Sequence, residues 1–149
     1  MAALGLNVSA DGRIPVDTLS GLGASWVRVV ARPHVDLTAY LTQCHAAGIR
    51  VLLVLARESG GGYAAYRDRY AGLITAVQVG NEPDGEGESS WIMSQAELVA
   101  LGRTARAIWP DLPIVCAGLC SGQDAWLNGV DLSWCDALGI HAYTQSSEK

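Results

Sequence analysis

Short apolar runs rich in β-branched residues recur along the chain at regular spacing. Six of them have the length of a strand, and several are apolar at consecutive positions rather than at alternate ones. Consecutive apolar positions are typical of strands covered on both faces, as in a parallel sheet flanked by helices. The pattern predicts six parallel strands, at residues 4–8, 26–30, 50–55, 75–79, 112–117 and 136–141.

Apolar residues at helical spacing lie between the second and third of these strands. Leu37, Tyr40, Leu41 and Cys44 fall at i, i+3, i+4 and i+7, so they share one face of a helix. Gly48 marks the end of this helix, because glycine tolerates the left-handed conformation that often terminates helices.

Two further helices are predicted later in the chain. Ser94 and Glu97 have the spacing of a capping box, which marks a helix start, and Pro110 marks the end of that helix. A shorter helix carries three tyrosines on one side, and aromatic residues at this spacing are expected to lie in the core: Tyr63, Tyr66 and Tyr70.

Alternating strands and helices predict an α/β fold with a parallel sheet. Two architectures remain open. The chain of 149 residues is either an open sheet of six βα units or the first six units of an eight-stranded TIM barrel, which needs about 200 residues or more. Since no stretch has the composition of a linker, we expect residues 1–149 to form a single domain.

Composition and charge narrow the classes of partner. Half of the residues are hydrophobic, which argues against disorder, and the net charge of −5 offers no basic surface for nucleic acid or anionic membranes. The longest apolar stretch, residues 51–56, is too short to span a bilayer, and no export signal precedes it. We therefore expect a soluble protein, cytoplasmic by default.

The four cysteines show neither a CxxC pair nor the Cys/His spacing of a zinc site. We expect free thiols, with a Cys116–Cys120 disulfide left open as an alternative, and we expect no metal ion. No glycine-rich phosphate loop is present, so we expect no nucleotide and no other cofactor.

The most informative polar residues follow the fourth predicted strand, where Asn81 and Glu82 precede Pro83. In a parallel α/β protein this position lies at the carboxyl edge of the sheet, where catalytic groups are usually placed. Asn81 can donate a hydrogen bond to a hydroxyl group, and Glu82, if screened from water, can hold a proton for a leaving oxygen. The alternative is that these residues build a polar turn.

The Val-Gly-Asn-Glu-Pro segment at residues 79–83 resembles the acid/base motif of the clan A glycoside hydrolases, which are retaining enzymes built on the TIM barrel. Three other segments resemble the second, third and sixth strands of that family: residues 23–28, 48–54 and 136–143. The resemblance implies that this chain corresponds to strands one to six of such a barrel.

The resemblance also implies roles for five residues. Glu82 would be the catalytic acid/base, and Asn81 would bind the sugar hydroxyl beside the scissile bond. Arg28, His141 and Tyr143 would complete the substrate-binding wall. A β-linked glycoside is the implied substrate class, without indication of a particular sugar.

One departure from the family pattern concerns the second carboxylate. The family's nucleophile is a glutamate at the end of strand seven, and this sequence ends before such a strand. Retaining hydrolysis needs two carboxyl groups about 5–5.5 Å apart. We therefore expect a truncated domain that is inactive or weak alone.

Two other interpretations remain open from the sequence. The first is a non-catalytic carbohydrate-binding protein, in which one of three tryptophans stacks on the sugar: Trp91, Trp126 or Trp134. The second is an unrelated open-sheet α/β domain that happens to carry Asn-Glu-Pro.

Because an incomplete barrel leaves its first and last strands with open edges, we also expect a homo-oligomer.

Overall fold

The computed structural model describes residues 4–8, 14–57, 62–85, 91–119 and 124–140. Strands and helices alternate along these ranges. The strands are β1 (Gly5–Asn7), β2 (Trp26–Ala31), β3 (Arg50–Leu55), β4 (Ala76–Val79), β5 (Ile114–Cys116) and β6 (Ala137–Leu138). The helices are α1 (Val16–Gly21), α2 (Thr38–Ala46), α3 (Tyr63–Arg69) and α4 (Gln95–Ile108), and a short 3-10 helix follows β5 at Asp124–Leu127.

The six strands form one parallel sheet in the order β1-β2-β3-β4-β5-β6. Each strand pairs with the next one along the chain, and the sheet curls into half of a barrel. The predicted fold class, an incomplete βα barrel, is confirmed. The curl also decides against a flat open sheet.

The two faces of the sheet differ in burial. The outward positions of β2 are completely buried under helices, whereas the inward positions Trp26, Arg28 and Val30 are only half-buried. The expectation that the strands are covered on both faces therefore holds for β4, which is buried throughout, and fails for β2. The reason is that the described strands do not close into a ring, so the concave face stays open.

The helices begin and end where local chemistry directs them. The capping box at the start of α4 is confirmed: the Ser94 hydroxyl accepts a hydrogen bond from the Glu97 backbone, and the Glu97 carboxylate accepts one from the Ser94 backbone. Helix α2 ends at Ala46, and Gly48, with φ of +70°, turns the chain into β3.

The three tyrosines predicted for the core are buried. Tyr63 and Tyr70 are fully inaccessible, and Tyr66 stacks on Tyr70 at 6.0 Å between ring centroids. The Tyr70 hydroxyl accepts a hydrogen bond from the Leu37 backbone at 3.2 Å, so α3 is tied to the start of α2. Fully burying a large apolar side chain stabilises the fold by roughly 1.5–3 kcal/mol.

The cysteines that the structure describes carry free thiols. Cys44 and Cys116 are buried and Cys135 is half-buried, while Cys120 lies outside the described residues. Since Cys116 is free, the alternative of a Cys116–Cys120 disulfide is wrong. Burial in the core raises the pKa of Cys116 to about 12, which keeps it protonated and unreactive.

None of the helices within the described ranges is long and apolar enough to cross a membrane. Among the described strands, β1 and β6 lie at the two edges of the sheet. Apolar side chains are exposed close to both edges, with Leu4 at 46% and Leu138 at 50%.

Candidate active site

Arg28 lies on the concave face, one strand in from the β1 edge. It lies on the inward side of β2, in register with Asn7 on β1 and with Leu52 on β3. Gln78 lies on the same face of β4 and pairs with Val54 of β3. Val54 is two residues closer to the carboxyl end of β3 than Leu52, which pairs with Arg28. The long Arg28 side chain can therefore reach toward the carboxyl edge, where β4 ends.

Three side chains accept hydrogen bonds from the Arg28 guanidinium. Nε donates to Gln78 Oε1 at 3.0 Å, Nη1 donates to Asn7 Oδ1 at 3.1 Å, and Nη2 donates to Asn81 Oδ1 at 2.7 Å. The planar fork of an arginine suits such a set of fixed acceptors. The contacts join β1, β2 and β4 with the turn after β4 in one polar network.

The turn after β4 is tightly held. Gly80 has φ of +76°, and its backbone N–H donates to the carbonyl of Leu55 at 2.8 Å. A side chain at this position would be strained, and its Cβ would lie 3.4 Å from the terminal methyl of Met93 and 3.5 Å from Ala117. Glycine thus lets β4 end beside β3 and turn sharply into Asn81.

Glu82 is fixed by its backbone on both sides. Its N–H donates to the carbonyl of Gly118 at 3.0 Å, and its own carbonyl accepts from Gly85 at 3.0 Å. Its φ of +47° lies in the left-handed region, which is uncommon for a residue with a side chain. The side chains of Asn81 and Glu82 are both half-buried at this edge.

The electrostatics of the site centre on Arg28 and Glu82. Burial lowers the pKa of Arg28 below its ordinary value, and the negative charge of Glu82 acts in the opposite direction. An arginine remains protonated in this setting, so the carboxylate of Glu82 lies in the field of a fixed cation.

A trough lies beneath the network on the concave face. Its volume is about 330 Å³, and it is lined by Gly5, Leu6, Asn7, Trp26, Val27, Arg28 and Leu52. The Trp26 ring stacks on the Arg50 guanidinium, with 4.4 Å between the guanidinium carbon and the ring centroid. One face of that aromatic ring is therefore already occupied.

Comparison with known proteins places this geometry in a structural context. No protein-family profile and no curated protein sequence matches the chain. Its structure is similar to the catalytic domain of the major endoglucanase from Xanthomonas campestris pv. campestris, with a TM-score of 0.53 and 13% sequence identity. The two structures share their overall fold. The similarity covers 77% of this chain and 51% of that domain, so the chain spans about half of its length.

The structure brings three of the predicted site residues together. Arg28 and Asn81 are hydrogen-bonded, and Glu82 follows Asn81 within reach of the Arg28 charge. His141 and Tyr143 lie outside the described residues. Their placement in the wall of the site stays a prediction.

The three tryptophans considered as sugar platforms differ in exposure. Trp134 is 2% exposed and packs against Gly102 of α4, so it belongs to the core. Trp91 and Trp126 are half-buried. Within the described residues no group of three or more His, Cys, Asp or Glu side chains has the arrangement of a metal site.

Sequence reasoning missed two members of the network, Asn7 and Gln78. Each had a visible signal, because Asn7 is the polar residue inside the first apolar run and Gln78 is the polar residue inside the fourth. Their partner Arg28 is distant in sequence, however, and only the strand register shows that the three side chains meet.

Proposed function

We propose that residues 1–149 form a single glycoside hydrolase-like domain of the clan A type, with Glu82 as the catalytic acid/base for a β-linked glycoside. The observation that carries this proposal is the grouping of Arg28, Asn81 and Glu82 at the carboxyl edge of a parallel half-barrel. Active sites of βα barrels are built at this edge. The glycosidase-like fold supports the assignment.

Glu82 would act first as an acid and then as a base. In its protonated form it donates a proton to the glycosidic oxygen as the bond from that oxygen to the anomeric carbon breaks. In a retaining enzyme a second carboxylate attacks the anomeric carbon, and the ionised Glu82 later removes a proton from the water that releases the sugar.

The catalytic activity of residues 1–149 alone depends on whether a second carboxylate, the nucleophile, is present. The family resemblance places the nucleophile on a seventh strand, and the described sheet has six. We therefore propose that residues 1–149 turn over a glycoside weakly or not at all unless another nucleophile is supplied.

Asn81 has a polarity that suits a sugar hydroxyl. Its Oδ1 is engaged by Arg28 Nη2 at 2.7 Å, which directs its Nδ2 amide away from the guanidinium as a donor. Following the resemblance, Nδ2 would bind the hydroxyl beside the scissile bond. Arg28, His141 and Tyr143 would form the remaining wall.

A carbohydrate-binding protein without catalysis is the second candidate. The observation that favours it is the dense amide and guanidinium network, which offers oriented donors and acceptors without requiring a second carboxylate. Such groups recognise hydroxyls in polar binding sites.

An external nucleophile separates the two candidates. With sodium azide and phenyl β-cellobioside, azide attacks the anomeric carbon while the phenoxy oxygen takes the Glu82 proton, giving an α-glycosyl azide and phenol. We expect this product from the wild-type chain and at least about a 100-fold lower rate from Glu82→Gln. A 2,4-dinitrophenyl leaving group needs no proton, so the same variant should lose little rate with it.

Asp84→Asn, which neutralises a carboxylate in the same turn, is the matched control and should keep the wild-type rate. Cellotetraose binding, measured by calorimetry, completes the test. Binding that survives Glu82→Gln without any azide product would favour the binding protein. If the chain shows no cellotetraose binding and gives no azide product, both candidates are contradicted.

A further inference from the structure

Gln78 is the only buried amide or charged side chain within the described ranges, at 3% exposed. Burying a carboxamide costs free energy unless its donor and acceptor are both satisfied. Here both are: Oε1 accepts from Arg28 Nε at 3.0 Å, and Nε2 donates to the carbonyl of Gly80 at 2.7 Å. The side chain is therefore held in one orientation.

These two hydrogen bonds join the parts of the site that have to be aligned. One fixes the guanidinium, and the other fixes the left-handed residue at which β4 turns into Asn81 and Glu82. Because Arg28 Nε donates to Gln78, the guanidinium is oriented so that Nη1 donates to Asn7 and Nη2 donates to Asn81.

We infer, on the basis of the function proposed above, that Gln78 is a positioning residue for glycoside binding. It sets the Arg28–Asn81 pair and the turn that carries Glu82, without touching the sugar itself.

The chemistry of the amide explains why glutamine suits this place. A glutamate would still accept a hydrogen bond from Arg28. Its second carboxylate oxygen, however, would face the Gly80 carbonyl oxygen with no hydrogen atom between them, and the two oxygens would repel each other. A methionine of similar volume would provide neither contact. Glutamine also adds no charge, which leaves the Arg28 cation to act on Glu82 and on a bound ligand.

Nitrogen-15 NMR of the ligand-free chain tests the alignment directly. In Gln78→Met we expect the Arg28 Nε–H proton to exchange with water about tenfold faster and the Asn81 side-chain amide signals to move. In Gln78→Glu the Arg28 proton should stay protected, while the backbone amide signals of Gly80 and Asn81 shift. This second variant keeps the test decisive if the methionine variant does not fold.

The matched control is Gln95→Met. Gln95 is the first residue of α4, and its side-chain amide donates to the Trp126 carbonyl. This variant should leave the Arg28 and Asn81 signals unchanged. An Arg28 proton that exchanges in Gln78→Met as slowly as in the wild type would overturn the inference.

Cellotetraose calorimetry then relates the alignment to function. We expect affinity about tenfold weaker in Gln78→Met and unchanged in Gln95→Met. Equal affinity in wild type and Gln78→Met would overturn the positioning role while the proposed function stands. If the wild-type chain binds no cellotetraose and gives no azide product, the proposed function fails, and the NMR result alone decides whether Gln78 aligns the pair.

Discussion

Glu82 adopts a backbone conformation that costs free energy, and its neighbours hold it there. Its φ of +47° places the backbone in the left-handed region, which costs a residue with a Cβ roughly 1–2 kcal/mol. Hydrogen bonds to Gly118 and from Gly85 fix the backbone on both sides. Strain of this kind gathers at functional sites, where the surrounding fold enforces it.

This strain predicts an unusual order of stability among variants. Glu82→Gly removes the conformational cost, whereas Glu82→Ala removes the same carboxylate and keeps a Cβ. We expect the glycine variant to be more stable than the alanine variant by about 1 kcal/mol, as measured by urea denaturation. At an ordinary helix position such as Ala107 the order reverses, so Ala107→Gly is the control. An alanine variant at least as stable as the glycine variant would show that Glu82 is unstrained.

Single residues of the site could be predicted from the sequence only where a local pattern marked them. Asn81 and Glu82 stand out because they follow an apolar strand and precede a proline. Gln78 and Asn7 gave a weaker signal, since a polar residue in a strand has no visible partner until the register is known. Arg28 was predicted through the family resemblance, as part of the substrate-binding wall, and its three acceptors were not predicted.

At the scale of elements, Asp131 connects the segment before β6 to α4. Its Oδ1 accepts from the Ser133 backbone at 3.0 Å, and its Oδ2 accepts from Arg103 at 2.6 Å. The hydrogen bonds from Ser133, followed by the one from Arg103, lower the pKa of Asp131 from 3.8 to about 2. Ionisation of the Asp131 carboxyl group therefore stabilises the folded state relative to the unfolded state.

The direction of this shift predicts how acid affects stability. The contribution of Asp131 is fully present above its unfolded pKa of 3.8 and is lost as the pH falls toward about 2. We expect Asp131→Asn to melt below the wild type at neutral pH, with the difference shrinking across that window. Asp111→Asn makes an equal charge change at another exposed position and is the control for the loss of one negative charge. A constant gap between wild type and Asp131→Asn from pH 7 to 2 would contradict the assignment.

The elements themselves were predicted with differing success for physical reasons. The six strands were located because a sheet packed under helices needs apolar runs, and α4 was located because its capping residues are local in sequence. Helix α1 was not singled out, since its six residues bury only Val16 and Leu19. Strands β5 and β6 are shorter than their apolar runs because pairing, and not composition, sets where a ladder ends.

At the scale of the whole molecule, the two outer strands of the half-barrel have no partner on one side among the residues that the structure describes. An open edge presents backbone donors and acceptors that pair readily with another chain. The edge at β6 is also apolar, with Leu138 at 50% and Ile140 at 86% exposed.

We therefore predict a dimer or a larger assembly in solution. Light scattering should give a mass above that of one chain, and Leu138→Lys should shift the population toward the monomer, because a charge at an edge disfavours pairing. Leu22→Lys makes the same change at another exposed leucine, 59% accessible, which lies in the turn after α1 and not in an edge strand, and it should leave the mass unchanged. A monodisperse monomer at high concentration would contradict the prediction.

The pairing of Asn7 with Arg28 has a consequence for how the chain assembles. Strand β1 has only three residues, so its backbone ladder alone specifies its alignment weakly. A shift by one residue would turn Asn7 to the outer side, bring Leu6 to the inner side, and leave a guanidinium N–H without its acceptor. The Asn7 side chain therefore helps to set the register of β1, because a first strand paired one residue out of register loses this hydrogen bond during folding.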